Sequence, residues 1–116
     1  MKMYGLKNCD ICRKALKWAA ERGVQIDFID VRDGGMSRAD IERFVASTGW
    51  QTALNRKSTT WRGLDDAEKA DIDDARAVDL IAQHPALLKR PVFDIEGRIV
   101  IGFDAAAQDQ LTSNNA

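Results

Sequence analysis

The sequence predicts an α/β fold built on a mixed four-stranded sheet, with a helical segment inserted between its halves. Three observations carry this. A strand–helix–strand pattern opens the chain, helical periodicities fill its middle, and a β-hairpin closes it. A strand–helix–strand start implies a parallel pair joined by a right-handed crossover. The hairpin adds antiparallel strands, and one more helix completes the order β-α-β, helices, β-β-α. That order is thioredoxin-like. Residues 1–116 are expected to form one such domain, with the helical insertion at about 34–88.

Lys2 to Leu6 is short and partly apolar and reads as the first strand. A helical pattern opens at Asn8 or Cys9, with Ile11, Ala15, Leu16, Trp18, Ala19 and Ala20 as its apolar positions. Gly23 stands where a helix C-cap belongs. Val24 to Val31 is β-rich and reads as the second strand. Asp33-Gly34-Gly35 is a turn, and Ser37 with Asp40 three residues on resembles a capping box. Ile41, Phe44 and Val45 form the stripe of the next helix, which Gly49 ends. Trp50 to Leu64 reads as a short helical turn and a loop. A helix from about Asp74 to His84 stops at Pro85. "PVFDI" and "RIVIGF" flank Glu96-Gly97, the clearest hairpin signal in the chain. Asp104 is placed to cap a last helix through Leu111, and residues 112–116 form a polar tail expected to be disordered.

One domain suits 116 residues, and the net charge of −1 gives no global pull toward nucleic acid. No run approaches the roughly 18 apolar residues of a membrane helix. The first residues show no long apolar segment and no cleavage site, so the expected location is the cytoplasm. There thiols are kept reduced, which argues against a permanent structural disulfide.

"KNCDIC" holds both cysteines, Cys9 and Cys12. Structural zinc takes four Cys or His ligands, and this chain has only these two and His84. A bridge closing so small a loop removes little unfolded-state entropy. Two buried cysteines acting as small apolar residues are the bland alternative. Against it, Cys9 falls at a strand-to-helix junction, where free N–H groups and the helix dipole favour a thiolate. Cys-x-x-Cys after a strand in a β-α-β context reads as a redox motif. Cys12 shares the helix face at i+3. It is placed to resolve a mixed disulfide on Cys9, or it is incidental.

Pro91 opens the predicted third strand, an ordinary place for proline. In thioredoxin-like folds a cis-proline at this place sits beside the active thiol. A cis bond would aim the backbone around Arg90 at Cys9. Arg56 and Arg90 are the better candidates among the basic residues, because arginine grips carboxylates and oxyanions with a bidentate fork. Lys57 and Lys89 read as solvated surface. The acids between Asp65 and Asp79 lack a calcium-loop spacing and suit helix caps. Trp18 fits the core face of its helix, and Trp50 and Trp61 suit packing.

With "YGLKNCDICRKALKW", "GWQTALNRKSTTWRGL", "HPALLKRPVFD" and "GRIVIGF" in hand, the chain resembles the arsenate reductase (ArsC) family from about Met3 to Phe103, closest to its YffB-like branch. The resemblance implies that Cys9 is the nucleophile and that Arg56 and Arg90 bind an oxyanion or glutathione. It implies that Arg13 is the basic residue of the first helix turn and that Pro91 is the cis-proline. Asn8 joins them as a binding residue. It further implies no bound cofactor, glutathione as co-substrate, and a thiol, disulfide or oxyanion as substrate. Glutaredoxin is a further candidate partner, and a monomer is the expected state.

Two departures bear on substrate. True arsenate reductases of this type carry a third arginine where this chain has Gly102, and a histidine where it has Gly5. One cation fewer weakens the case for trianionic arsenate. The YffB-like branch shares the missing arginine and is associated with glutathione-linked thiols. Cys-x-x-Cys also resembles Spx, a relative that regulates transcription by binding RNA polymerase through a redox-sensed pair. Spx-like chains lack "LNRKSTTWR", which ranks that reading second.

Overall fold

The computed structural model describes residues 1–113, in two compact units. Met1–Met36 and residues 90–113 form the first, and Ser37–Lys89 the second.

The first unit is a four-stranded mixed sheet in the order β2-β1-β3-β4. Its strands are β1 (Lys2–Gly5), β2 (Asp27–Asp30), β3 (Val92–Ile95) and β4 (Arg98–Ile101). β1 pairs in parallel with β2 and antiparallel with β3, and β3 pairs antiparallel with β4. This is the thioredoxin-like arrangement expected of the sequence. Helix α1 (Asp10–Glu21) makes the crossover between the parallel strands. Register puts Phe28, Met3, Phe93 and Val100 side by side across the sheet. Strand residues two apart share a face, so this row forms one side of the sheet. Met3, Phe93 and Val100 join Cys12 and Ala15 of α1, with Ala107 and Leu111 of the last helix, in one buried cluster. Trp18 packs edge-on against Phe103, with ring centroids 5.5 Å apart.

Three expected boundaries move. β2 covers only Asp27–Asp30, because Gly23 turns the chain at φ +68° and the Val24 N–H bonds back to Ala19 O at 2.9 Å. Val24 thus finishes the helix end instead of starting a strand. β1 stops at Gly5, one residue before Leu6. The last helix runs through Ser113, two residues into the tail expected to be disordered; residues 114–116 lie outside the described residues.

The second unit is helical. α2 (Arg38–Thr48) begins with the capping box that the sequence suggested. Ser37 Oγ accepts from Asp40 N–H at 3.1 Å, and Asp40 Oδ2 accepts from Ser37 N–H at 3.0 Å. Single-turn helices α3 (Trp50–Ala53), α4 (Thr59–Arg62) and α5 (Asp66–Lys69) follow, then α6 (Asp74–Gln83) and a 3-10 turn at Pro85–Leu87. α2 and α6 face each other through Ile41, Phe44 and Val45 on one side and Ala77, Val78, Leu80 and Ile81 on the other. Leu54 bridges antiparallel to Leu88, and the Lys89 N–H bonds to Ala53 O at 2.8 Å. Back in the first unit, after the hairpin, α7 (Ala105–Ser113) starts at Asp104, whose carboxylate accepts the Ala107 N–H at 2.9 Å. Among the described residues no helix is long and apolar enough to cross a membrane.

Candidate active site

Cys9 is the N-cap of α1. Its backbone is extended, at φ −93° and ψ 122°, and its carbonyl accepts the first intrahelical bond from Arg13 N–H at 3.0 Å. Its own N–H bonds back to Leu6 O at 3.2 Å, closing the short loop that leaves β1. The half-buried Cys9 side chain therefore sits over the unpaired N–H groups of the first helical turn. Those groups and the helix dipole favour an anion at that point.

Burial pushes the Cys9 thiol up, but other effects outweigh it. The Cys12 backbone N–H, the Cys12 thiol and the Arg90 guanidinium all interact favourably with the thiolate, and Arg90 adds its charge. Together they hold Cys9 below the ordinary thiol range. Cys12 behaves oppositely. It has no exposed surface, and burial pushes its thiol up to about 11 against a hydrogen bond from the Leu6 main chain; the nearby Cys9 pushes it the same way as burial. Of the two, Cys9 is therefore the thiol that ionises first as pH rises, while Cys12 keeps its proton.

Arg90 reaches this pair from the start of β3, and the peptide bond joining it to the buried Pro91 is cis. The Pro91 carbonyl accepts the Gly102 N–H at 2.9 Å. Gly102 itself has φ +96°, a region that side chains rarely adopt. An arginine at 102 would be strained on this backbone.

The remaining expected residues are placed less centrally. Asn8 is exposed in the loop before Cys9. Arg13 is exposed, and its guanidinium is paired with Asp10 at 2.7 Å. Arg56 belongs to the second unit, where its guanidinium lies 5.4 Å from the Trp50 ring centroid. Ile11 is not part of the α1 core stripe: it is 49% exposed, and Cys12 takes the buried place. Leu6 was missed, because its contribution to Cys12 is a backbone N–H, which no side-chain pattern reveals. A cleft of about 680 Å³ lies at the other end of α1, around Arg22, Gly23 and Arg98, away from the thiols. Among the described residues no group of three or more His, Cys, Asp or Glu side chains is placed to hold a metal ion.

Comparison with known proteins gives a consistent set of likenesses. The model of the ArsC family matches residues 4–111. The structure of a YFFB protein superposes with a TM-score of 0.91 at 42% identity, covering 99% of this chain and 98% of that one. An arsenate reductase (ArsC) related protein from Brucella melitensis superposes with a TM-score of 0.76 at 32% identity, covering 96% and 92%. The global transcriptional regulator Spx of Streptococcus pyogenes is 31% identical over 100 residues, 84% of this chain and 73% of its own length.

Proposed function

The chain belongs to the ArsC family, and on that premise we propose that it is a glutathione-dependent thiol reductase with Cys9 as nucleophile. The observation that carries this reading is the thiolate-favouring position of Cys9, between the α1 N-terminus and Arg90. A thiolate, not a thiol, attacks sulfur.

The Cys9 thiolate attacks one sulfur of a disulfide substrate R–S–S–R′. The S–S bond breaks, R′–S⁻ departs and takes a proton from solvent, and Cys9 is left joined to R–S. A glutathione thiolate then attacks the Cys9 sulfur, expelling R–S⁻ and leaving a Cys9–glutathione disulfide. A second glutathione releases Cys9 and forms oxidised glutathione. Two thiols are oxidised for each substrate disulfide reduced. Cys12 is the internal alternative to the first glutathione, although at neutral pH its high pKa makes it the slower attacker. Arg90 holds a carboxylate of the incoming tripeptide, with Asn8 and Arg13 at the rim. Arsenate is a poorer fit, because Gly102 supplies no third cation and its φ of +96° would strain an arginine there.

Cys9→Ser tests this directly. A serine hydroxyl is not ionised at neutral pH, so turnover in a glutathione-coupled disulfide-reduction assay should fall to background. Wild-type rates in that variant would end the proposal.

A second reading has one specific observation behind it, the likeness to Spx together with a Cys-x-x-Cys pair. There, oxidation to a Cys9–Cys12 disulfide would alter affinity for RNA polymerase without turnover. A pull-down under reducing and oxidising conditions discriminates. Polymerase captured in one state only supports the regulator, and none in either state removes it.

A further inference from the structure

Gly5 ends β1 two residues after Met3, so it faces the same side of the sheet, toward α1. What it meets there is Cys12. A Cβ built on Gly5 would lie 2.6 Å from Cys12 Sγ, 3.4 Å from Phe28 Cε2 and 3.5 Å from Cys12 Cβ. The last two are ordinary contacts or nearly so. The first is well inside van der Waals contact. The one conflict is therefore with the sulfur, which occupies the space a side chain at position 5 would fill.

We propose that Gly5 is a positioning residue: its missing side chain lets Cys12 Sγ lie under the end of β1, within reach of Cys9. The Leu6 N–H, on the next residue, hydrogen-bonds to that sulfur and holds it there. From this place the Cys12 thiol interacts favourably with the Cys9 thiolate. The inference rests on the reading of Cys9 as nucleophile and adds a residue that acts only through Cys12. A methyl group at position 5 would turn Cys12 Sγ away, because one χ1 rotation costs less than separating helix from sheet.

The test follows the rate of Cys9 alkylation by iodoacetamide against pH in four proteins: wild type, Gly5→Ala, Cys12→Ala and the double variant. Gly5→Ala should lower the rate at pH 7 about threefold, with the Cys9 midpoint about half a pH unit higher. In the Cys12→Ala background, where no sulfur remains to collide with, Gly5→Ala should change nothing. Urea unfolding of all four proteins accompanies the rates. A Gly5→Ala protein that fails to fold, with a double variant that folds, locates the conflict at the Cys12 sulfur and supports the proposal. Failure of both to fold overturns it, since Gly5 would then serve the strand alone. Unchanged rates in Gly5→Ala, or an equal drop in both backgrounds, also overturn it while leaving a fast wild-type Cys9 intact. A wild-type Cys9 no faster than a free thiol overturns both this and the nucleophile reading.

Discussion

Cys12 lies fully within the core under β1, while Cys9, three residues earlier, is half-buried at the open end of α1. Burial opposes ionisation of both thiols, but only Cys9 receives enough favourable charge and hydrogen bonding to overcome it. At pH 8, limiting iodoacetamide should therefore give one adduct, on Cys9. Cys12 should stay unlabelled until the protein is unfolded, and peptide mass mapping reads both. Arg90 is the cation that acts on Cys9, and it belongs to the same unit; Arg56 belongs to the other. Arg90→Ala should accordingly raise the Cys9 pKa, measured by thiolate absorbance in a Cys12→Ser background, and by more than Arg56→Ala does. Arg90→Lys should recover only part, keeping the charge but losing the fork. An unchanged midpoint in Arg90→Ala would mean that the helix end alone activates Cys9. The place of Cys9 at the N-cap of α1 was legible because it depends on local order, a strand followed at once by a helix. The burial of Cys12 was not. Apolarity placed Ile11 in the stripe, but the helix is rotated so that Cys12, Ala15 and Ala19 face inward.

At the scale of elements, what could be read was what the chain encodes within a few residues. The capping box at Ser37 and Asp40, the hairpin turn at Glu96-Gly97 and the stop at Pro85 all involve neighbours in sequence. α3, α4 and α5 are single turns, too short for a period of 3.6 to show. α4 and α5 owe their form to the caps Ser58 and Asp65, each of which accepts a backbone N–H three residues on, while α3 starts at Gly49 with no side-chain cap. β2 was overextended because Val24 and Ile26 carry the β-branched character of a strand, while the Gly23 turn assigns Val24 to the helix end. Capping energetics offer a direct check. Ser37→Ala removes the acceptor for the Asp40 N–H at the start of α2 and should cost about 1 kcal/mol. Urea unfolding should show it as a lower midpoint with an unchanged slope. Cys9 labelling should be untouched, since α2 lies in the second unit.

For the whole molecule, stability against pH sums every group whose acidity changes on folding. Asp40 is held below the carboxylate range: burial raises it, but hydrogen bonds from Ser37 and Arg43 outweigh that. Its contribution is present above the unfolded carboxylate range and is lost as pH falls through the lower folded value. Cys9, also lowered, has delivered its whole contribution once pH exceeds the unfolded thiol value of 9.0. Cys12 has the opposite sign. Its folded value of about 11 lies above 9.0, so between those limits the unfolded chain ionises while the native protein keeps its proton. The native state then binds more protons, and stability falls as pH rises. Other groups titrate in the same range, so a comparison isolates the thiol. Cys12→Ala should be less stable than wild type at pH 8, because it empties a buried site. Between pH 9 and 11 the wild type should lose about 2–3 kcal/mol that the variant keeps, since each pH unit separating the folded from the unfolded value is worth about 1.4 kcal/mol. The gap between their urea midpoints should therefore narrow steadily across that window. A constant gap would mean that Cys12 ionises as readily in the folded protein as in the unfolded chain, and that its sulfur is not shielded under β1.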